Sequence, residues 1–116
     1  MSTQFAFDLR LARRKAGLTQ DDVAHLLGGH QSVVSDLERG TMRPAIEQIV
    51  LLSVLYGRSF ESLFSEVMVE SQEHLTTRLS SLPAPAKVTA ETYNRKSSLR
   101  RLKGRLADSL LERGRA

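Results

Sequence analysis

The residues best suited to bind something outside the protein lie between positions 31 and 39, on one side of a short predicted helix. Val34 and Leu37 are three residues apart and face inward, so the polar side chains of the segment face outward. These outward residues are Gln31, Ser32, Ser35, Asp36 and Arg39. Their amide, hydroxyl, carboxylate and guanidinium groups can donate and accept hydrogen bonds, which predicts a binding face.

This helix is the second half of a two-helix segment that spans residues 19–40. Five residues have the helix-turn-helix spacing, at the first, fifth, ninth, fifteenth and eighteenth places of about twenty: Gln20, Ala24, Gly28, Val34 and Leu37. Ala24 is small where the second helix must cross closely above the first. Gly28 stands where the chain must reverse, which usually needs a positive φ. The spacing therefore predicts two helices that cross closely around a tight turn.

From about Leu9 to Phe64 the sequence resembles the Xre/Cro family of phage-repressor-like DNA-binding domains. The residues that carry the resemblance are Thr19-Gln20, Ala24, Gly28, Val34-Ser35, Leu37-Glu38, Gly40 and Arg43-Pro44. Two positions depart from the family pattern: Gly29 replaces an apolar residue, and His30 replaces the Ser or Thr that usually caps the second helix. The resemblance implies double-stranded DNA as the partner. Because the sequence has no motif typical of an enzyme or of a cofactor site, we also expect no cofactor and no enzymatic activity.

The same resemblance assigns roles to individual residues. It implies base contacts by Gln31, Ser32 and Asp36. From the chemistry and position of the side chains we also expect Val33 to contact a thymine methyl group, and we expect phosphate contacts by Gln20, His30, Ser35, Arg39 and Arg43. Glutamine can hold adenine by two hydrogen bonds, serine can bond either kind of edge, and a carboxylate can accept from the cytosine amino group. The resemblance also implies that Arg13 and Glu38 pair and thereby orient the second helix of the motif.

The composition of the chain limits the classes of protein to which it can belong. The chain has 116 residues, 41% apolar content and no cysteine, which predicts one soluble domain with an appendage and favours a cytoplasmic location. No apolar run could span a membrane, and the polar N-terminus is not typical of a signal peptide. No phosphate-binding glycine loop or cysteine nucleophile is present, and the three histidines show no metal-site pattern.

Apolar spacing and capping residues predict an all-α fold. The first helix covers Phe5 to Ala16, the second begins at the cap Thr19 with Asp22 as capping-box partner, and the third covers Gln31 to Arg39. A fourth helix from Ile46 to Tyr56 is almost wholly apolar, which predicts that it lies in the middle of the bundle. Ser59 caps a fifth helix, which closes a five-helix, phage-repressor-like DNA-binding domain.

Beyond this domain the helical spacing continues. Apolar or small residues recur to about residue 82, so we expect one extended fifth helix with an apolar stripe made of Met68, Ser71, Leu75, Leu79 and Leu82. Because such stripes usually find a partner, we assign this one to homodimerisation. The predicted organisation is a DNA-binding domain at 1–67, a dimerisation extension at 68–82, a Pro/Ala linker at 83–89 and a basic tail at 90–116.

The tail carries most of the positive charge. Residues 1–82 have eight Lys or Arg against ten Asp or Glu, a net charge of −2, whereas residues 83–116 have nine against three, a net charge of +6. Leu99, Leu102, Leu106 and Leu110 predict an amphipathic helix with cationic remaining faces. Extra phosphate contacts are one interpretation of the tail; capture of a protein partner, as in an antitoxin, is the alternative. Attachment to a membrane surface is weaker, because the segment lacks Trp and Phe.

Overall fold

The computed structural model describes residues 3–85 and 87–115. Within those residues all regular secondary structure is helical, as the sequence predicts. The helices are α1 (Gln4–Ala16), α2 (Gln20–Leu27), α3 (Gln31–Arg39), α4 (Ile46–Tyr56), α5 (Phe60–Leu63), α6 (Ser65–Ser80) and α7 (Arg95–Arg115). None of the described helices is long and apolar enough to cross a membrane. The chain divides into two compact units, residues 1–69 and 70–116.

The core of the first unit is built where α1 meets α2, α3, α4 and α5. Phe5, Leu9 and Ala12 share the inner face of α1 and are buried. The other buried apolar side chains are Ala6, Val23, Ala24, Val34, Leu37, Leu52, Leu63 and Phe64. Each helix contributes only a few of them, so the fold depends on the packing of all five helices together.

Local capping signals determine where α2 begins and where α2 and α3 end. The Thr19 hydroxyl accepts a hydrogen bond from the backbone N–H of Asp22 at 3.0 Å, and the Asp22 carboxylate accepts one from the Thr19 N–H at 2.9 Å. Gly28 ends α2 with φ +73°, and Gly40 ends α3 with φ +75°. A Cβ atom at Gly40 would also lie 3.3 Å from the Thr3 side chain, so both the backbone conformation and the space favour glycine there. The predicted bounds of the second and third helices are confirmed, and α1 begins one residue before the predicted Phe5.

The prediction that α4 lies in the middle of the bundle is wrong. Of its eleven residues only Leu52 is buried, and Ile46, Val50, Leu51 and Val54 are exposed. An apolar helix can be central only if it has neighbours on all sides, and α4 packs against α1, α2 and α5 on one side only. The first unit therefore displays an apolar helix face on α4.

The prediction of one continuous fifth helix is also wrong. The chain leaves helical geometry at Phe64, where φ is −122° and ψ is 41°, so α5 and α6 are separate helices. Leu63 and Phe64 are both buried. The centroid of the Phe64 ring lies 5.3 Å from that of the Phe60 ring and 6.0 Å from that of the Phe5 ring. Consecutive residues on a straight helix point about 100° apart, so the break allows both side chains to enter one core.

The second unit consists of the C-terminal part of α6, the connection to α7 and α7 itself. No described side chain of this unit is buried. Leu79 of α6 and Leu106 of α7 line a shared groove of about 480 Å³, and Arg113 donates a hydrogen bond to the Gln72 side chain. Residues 83–85 and 87–89 of the predicted linker have no regular secondary structure, and Ala86 lies outside the described residues. The amphipathic helix predicted in the tail is present as α7.

Candidate nucleic-acid interface

Helix α3 is fixed on one side and open on the other. Val34 and Leu37 are buried against α1 and α2, as is Glu38, a charged residue. Gln31 and Ser32 are exposed on the opposite side. The structure thus presents the start of α3 outward while holding its other face in the core.

A buried ion pair joins α1 to α3. The Arg13 guanidinium donates from Nε to Glu38 Oε2 at 2.8 Å and from Nη2 to Glu38 Oε1 at 2.9 Å. The side chains of Arg13 and Glu38 are only 12% and 4% exposed, respectively. Arg13 Nη1 also donates to the carbonyl oxygen of Leu18 at 3.0 Å, which ties the pair to the segment between α1 and α2. This two-point geometry fixes both position and direction, which a single contact does not.

The pair continues into a chain of hydrogen bonds that reaches the surface. Gln20 at the start of α2 donates from Nε2 to Glu38 Oε1 at 3.2 Å. Gln31 at the start of α3 donates from Nε2 to Gln20 Oε1 at 2.5 Å. The amide of Gln31 therefore keeps one N–H and its oxygen free of these bonds. One donor and one acceptor on the same amide are the groups that a bidentate contact with adenine requires.

Asp36, predicted to contact a base, and Arg39, predicted to contact a phosphate, form an ion pair with each other. Arg39 Nη2 lies 2.5 Å from Asp36 Oδ1, and the Thr41 hydroxyl lies 3.4 Å from the same oxygen. The guanidinium lowers the repulsion that a bare carboxylate would meet near DNA phosphates. These two residues thus form one neutral unit on α3, beside the exposed Gln31 and Ser32.

The remaining predicted contact residues have mixed surroundings. Val33 is half-buried and packs against the core, and Ser35 is half-buried as well. His30 occupies the N-cap position of α3, is exposed and makes no side-chain capping bond. Arg43 is exposed in the loop between α3 and α4. Of the predicted set, the structure brings Arg13, Glu38, Gln20 and Gln31 into one network and leaves His30 and Arg43 outside it.

The charges of the ion pair act on their neighbours. The hydrogen bonds that Arg13 donates to the Glu38 carboxylate raise the pKa of Arg13 above its ordinary value. Partial burial, with a further contribution from the Glu38 charge, raises the pKa of Tyr56 to about 12. Sequence reasoning missed both Tyr56 and the link from Gln20 to Glu38. Gln20 and Glu38 are 18 positions apart on different helices, so no local sequence pattern signals their contact.

Comparison with known proteins agrees with this geometry. A family model described as Helix-turn-helix matches residues 9–63, which run from α1 to the end of α5. Searches of curated proteins and of solved structures returned no match. The match identifies residues 9–63, just under half of the chain, as a helix-turn-helix domain similar to those of the Xre/Cro family, and it supports a DNA-binding transcription regulator.

Proposed function

We propose that this regulator acts in the cytoplasm as a repressor, binding an inverted-repeat operator as a homodimer. The observation that carries the proposal is the exposed start of α3, where Gln31 is held through Gln20 to the buried carboxylate of Glu38. A side chain ordered before binding loses less entropy when it meets its target. Occupancy of a promoter by such a protein is enough to exclude polymerase, and the proposed repression needs no catalytic step.

Base recognition is assigned to the outward residues of α3. Gln31 has the free donor and acceptor that adenine requires, and the exposed hydroxyl of Ser32 can bond either kind of base edge. Val33 would offer its outer methyl group to a thymine methyl. Asp36 would accept from a cytosine amino group while the bound Arg39 keeps the local charge balanced.

Backbone contacts are assigned to residues that surround this face. Gln20 lies at the N-terminus of α2, and His30 and Ser35 lie at the N-terminus and on the flank of α3. Arg43 supplies positive charge in the loop after α3, and Arg39 at the end of α3 would donate to a phosphate from the guanidinium N–H groups that Asp36 does not bind. Helix N-termini and arginines are the groups that proteins commonly use against DNA phosphates.

Dimerisation follows from the small size of one recognition helix. A single helix reads only a few base pairs, whereas a two-fold dimer places two helices about 34 Å apart on one face of DNA. The stripe proposed for this role comprises Met68, Ser71, Leu75, Leu79 and Leu82. Leu75 and Leu82 are exposed, which supports a contact with a partner, while Leu79 lies half-buried in the groove beside α7.

The test is selection of random DNA duplexes by the purified protein, with sequencing of the bound pool. The expected result is an inverted repeat whose half-sites are centred about 10 base pairs, or one helical turn, apart. Ser32→Ala should relax one position in each half-site, whereas Ser65→Ala, an equally small change at an exposed serine on α6, should leave the selected sequence unchanged. Enrichment of no common sequence would reject the proposed operator recognition.

A second candidate function rests on α7. Leu110 and Leu111 are exposed on this helix, and Arg100, Arg101 and Arg105 leave the rest of its surface cationic. An amphipathic cationic helix suits capture of an acidic protein partner, as an antitoxin does with its toxin. Co-purification of one stoichiometric acidic protein that is released by substitutions at Leu110 and Leu111 would favour this candidate over a tail that contacts DNA.

A further inference from the structure

Helix α4 displays a straight apolar ridge on the surface of the first unit. Ile46, Val50 and Val54 follow one another at intervals of four residues and are 81%, 57% and 77% exposed. Leu51, 42% exposed, widens the ridge on one side. The only charged residue of α4 is Glu47. A continuous apolar surface of this kind on a small protein usually marks a place of interaction.

We infer that this ridge, hereafter the α4 ridge, binds the same ridge of a second copy of the chain, with the two helices antiparallel about a two-fold axis at Val50. This inference rests on the proposed homodimer and names a surface that forms it. In a two-fold contact each residue meets its symmetry mate or the residue equally far on the other side of the axis. Ile46 and Val54 are each four residues from Val50, so the ridge is complementary to itself.

The geometry of helix packing fits this arrangement. Ridges formed by residues four apart can interdigitate when two helices cross at about 50°, with axes 8–10 Å apart. The α4 ridge is such a row, and its three members have similar size. No charged residue lies on the row itself, so the symmetric contact places no charge opposite an identical charge.

The position of α4 makes this contact more useful for DNA reading than one made farther along the chain. Helices α3 and α4 belong to the same compact unit and are separated only by residues 40–45. A two-fold axis at α4 therefore sets the spacing of the two copies of α3 through packed structure. Leu75 and Leu82 belong to the second unit, so a dimer contact made by them does not lie in the unit that holds α3.

The area of the ridge predicts a weak dimer. Three ridge residues and the neighbouring Leu51 expose less apolar surface than the roughly 800 Å² per partner that a standard stable interface buries. Such a contact forms transiently in free solution and is reinforced when both copies bind one DNA duplex. The expected dissociation constant lies in the micromolar range or above.

A disulfide trap tests the contact on the full chain. Because the natural sequence has no cysteine, Val50→Cys introduces a single thiol per copy. Helix axes 8–10 Å apart bring the two residues on the axis within the Cα separation that a disulfide tolerates. Mild oxidation should give covalent dimer at least about tenfold faster than for the control Val88→Cys, since Val88 is 72% exposed but lies in the linker. Equal rates would overturn the inference.

Charged substitutions at Ile46 and Val54 test the antiparallel register of the two α4 helices. Ile46→Lys and Val54→Glu should each weaken the dimer about tenfold or more in sedimentation velocity, because each places a charge against an apolar partner. The double variant should recover association, because the antiparallel register brings each new lysine to the partner's new glutamate. Absence of recovery would overturn the register.

The same variants separate this inference from the proposed function. Should Leu75→Glu dissociate the dimer while Val50→Glu does not, the α4 ridge is excluded although an inverted repeat is still selected. Should no inverted repeat be selected from random DNA, the proposed function fails while the covalent dimer of Val50→Cys still reports the contact.

Discussion

Replacement of Glu38 by alanine tests the central packing argument. The substitution removes the counter-charge of Arg13, whose side chain is only 12% exposed, and the acceptor that orients Gln20. The guanidinium would remain largely out of water with one hydrogen bond, to the Leu18 carbonyl. We therefore expect Glu38→Ala to destabilise the fold as well as to weaken DNA binding.

The magnitude follows from the burial of the pair. Removing one partner of a buried ion pair commonly costs about 3–5 kcal/mol. The residual exposure of Arg13 and its bond to Leu18 favour the lower end, about 3 kcal/mol. For a unit of 69 residues this corresponds to a melting temperature lower by roughly 10 °C or more.

Thermal melts followed by circular dichroism measure this effect, with Asp36→Ala as the matched control. Both substitutions remove a carboxylate of α3 that binds an arginine, but the pair with Arg39 is much more exposed. Exposed pairs contribute between zero and about 1 kcal/mol, so Asp36→Ala should change the melting temperature little. Equal melting temperatures for Glu38→Ala and the natural protein would refute the reasoning.

A double substitution separates stability from orientation. Arg13→Met together with Glu38→Leu replaces the pair by apolar groups, and such replacements are often neutral or stabilising. Stability should therefore return, whereas Gln20 still lacks its acceptor and DNA discrimination should remain impaired. Full recovery of both properties would show that the carboxylate has no orienting role.

Three further predictions concern capping, pH and salt. Thr19→Ala should cost about 1 kcal/mol in chemical denaturation, because the hydroxyl caps α2, and an unchanged midpoint would contradict the capping role. Because the pKa of Tyr56 is raised to about 12, the stability it contributes is present below about pH 10 and is lost as the pH rises towards 12. Tyr56→Phe should flatten the alkaline fall in melting temperature, and a parallel fall would contradict this linkage. Arg101→Gln with Arg105→Gln should make the salt dependence of DNA binding shallower by up to about 2 in the logarithmic slope, whereas an unchanged slope would exclude phosphate contacts by these residues.

The parts of the fold that were predictable are those with local causes. Thr19 with Asp22 starts α2, and Gly28 and Gly40 end α2 and α3, because capping geometry depends on residues only a few positions apart. The orientation of α4 was not predictable in the same way. A helix that is apolar nearly all round has no periodic signal to choose its inner face, so its neighbours decide which side is buried.

In the candidate site, too, the features with local causes were predictable, whereas those that depend on tertiary packing were not. Exposure of Gln31 and Ser32 follows from the spacing of the core residues on α3, and the pairing of Arg13 with Glu38 came from the family resemblance. The bond from Gln20 to Glu38 could not be inferred, because it arises only when α1, α2 and α3 are packed together. The break at Phe64 likewise has no glycine or proline to signal it and reflects the demand of the core for two consecutive side chains.

The hydrogen-bond chain makes base reading depend on core packing. Glu38 is fixed by Arg13, Gln20 is fixed by Glu38, and Gln31 is fixed by Gln20. A glutamine side chain has considerable rotamer entropy, and here part of it is lost when the protein folds and not when DNA binds. A substitution deep in the domain can therefore alter discrimination at a base pair that it never touches, since it frees Gln31 to adopt conformations that suit more than one base.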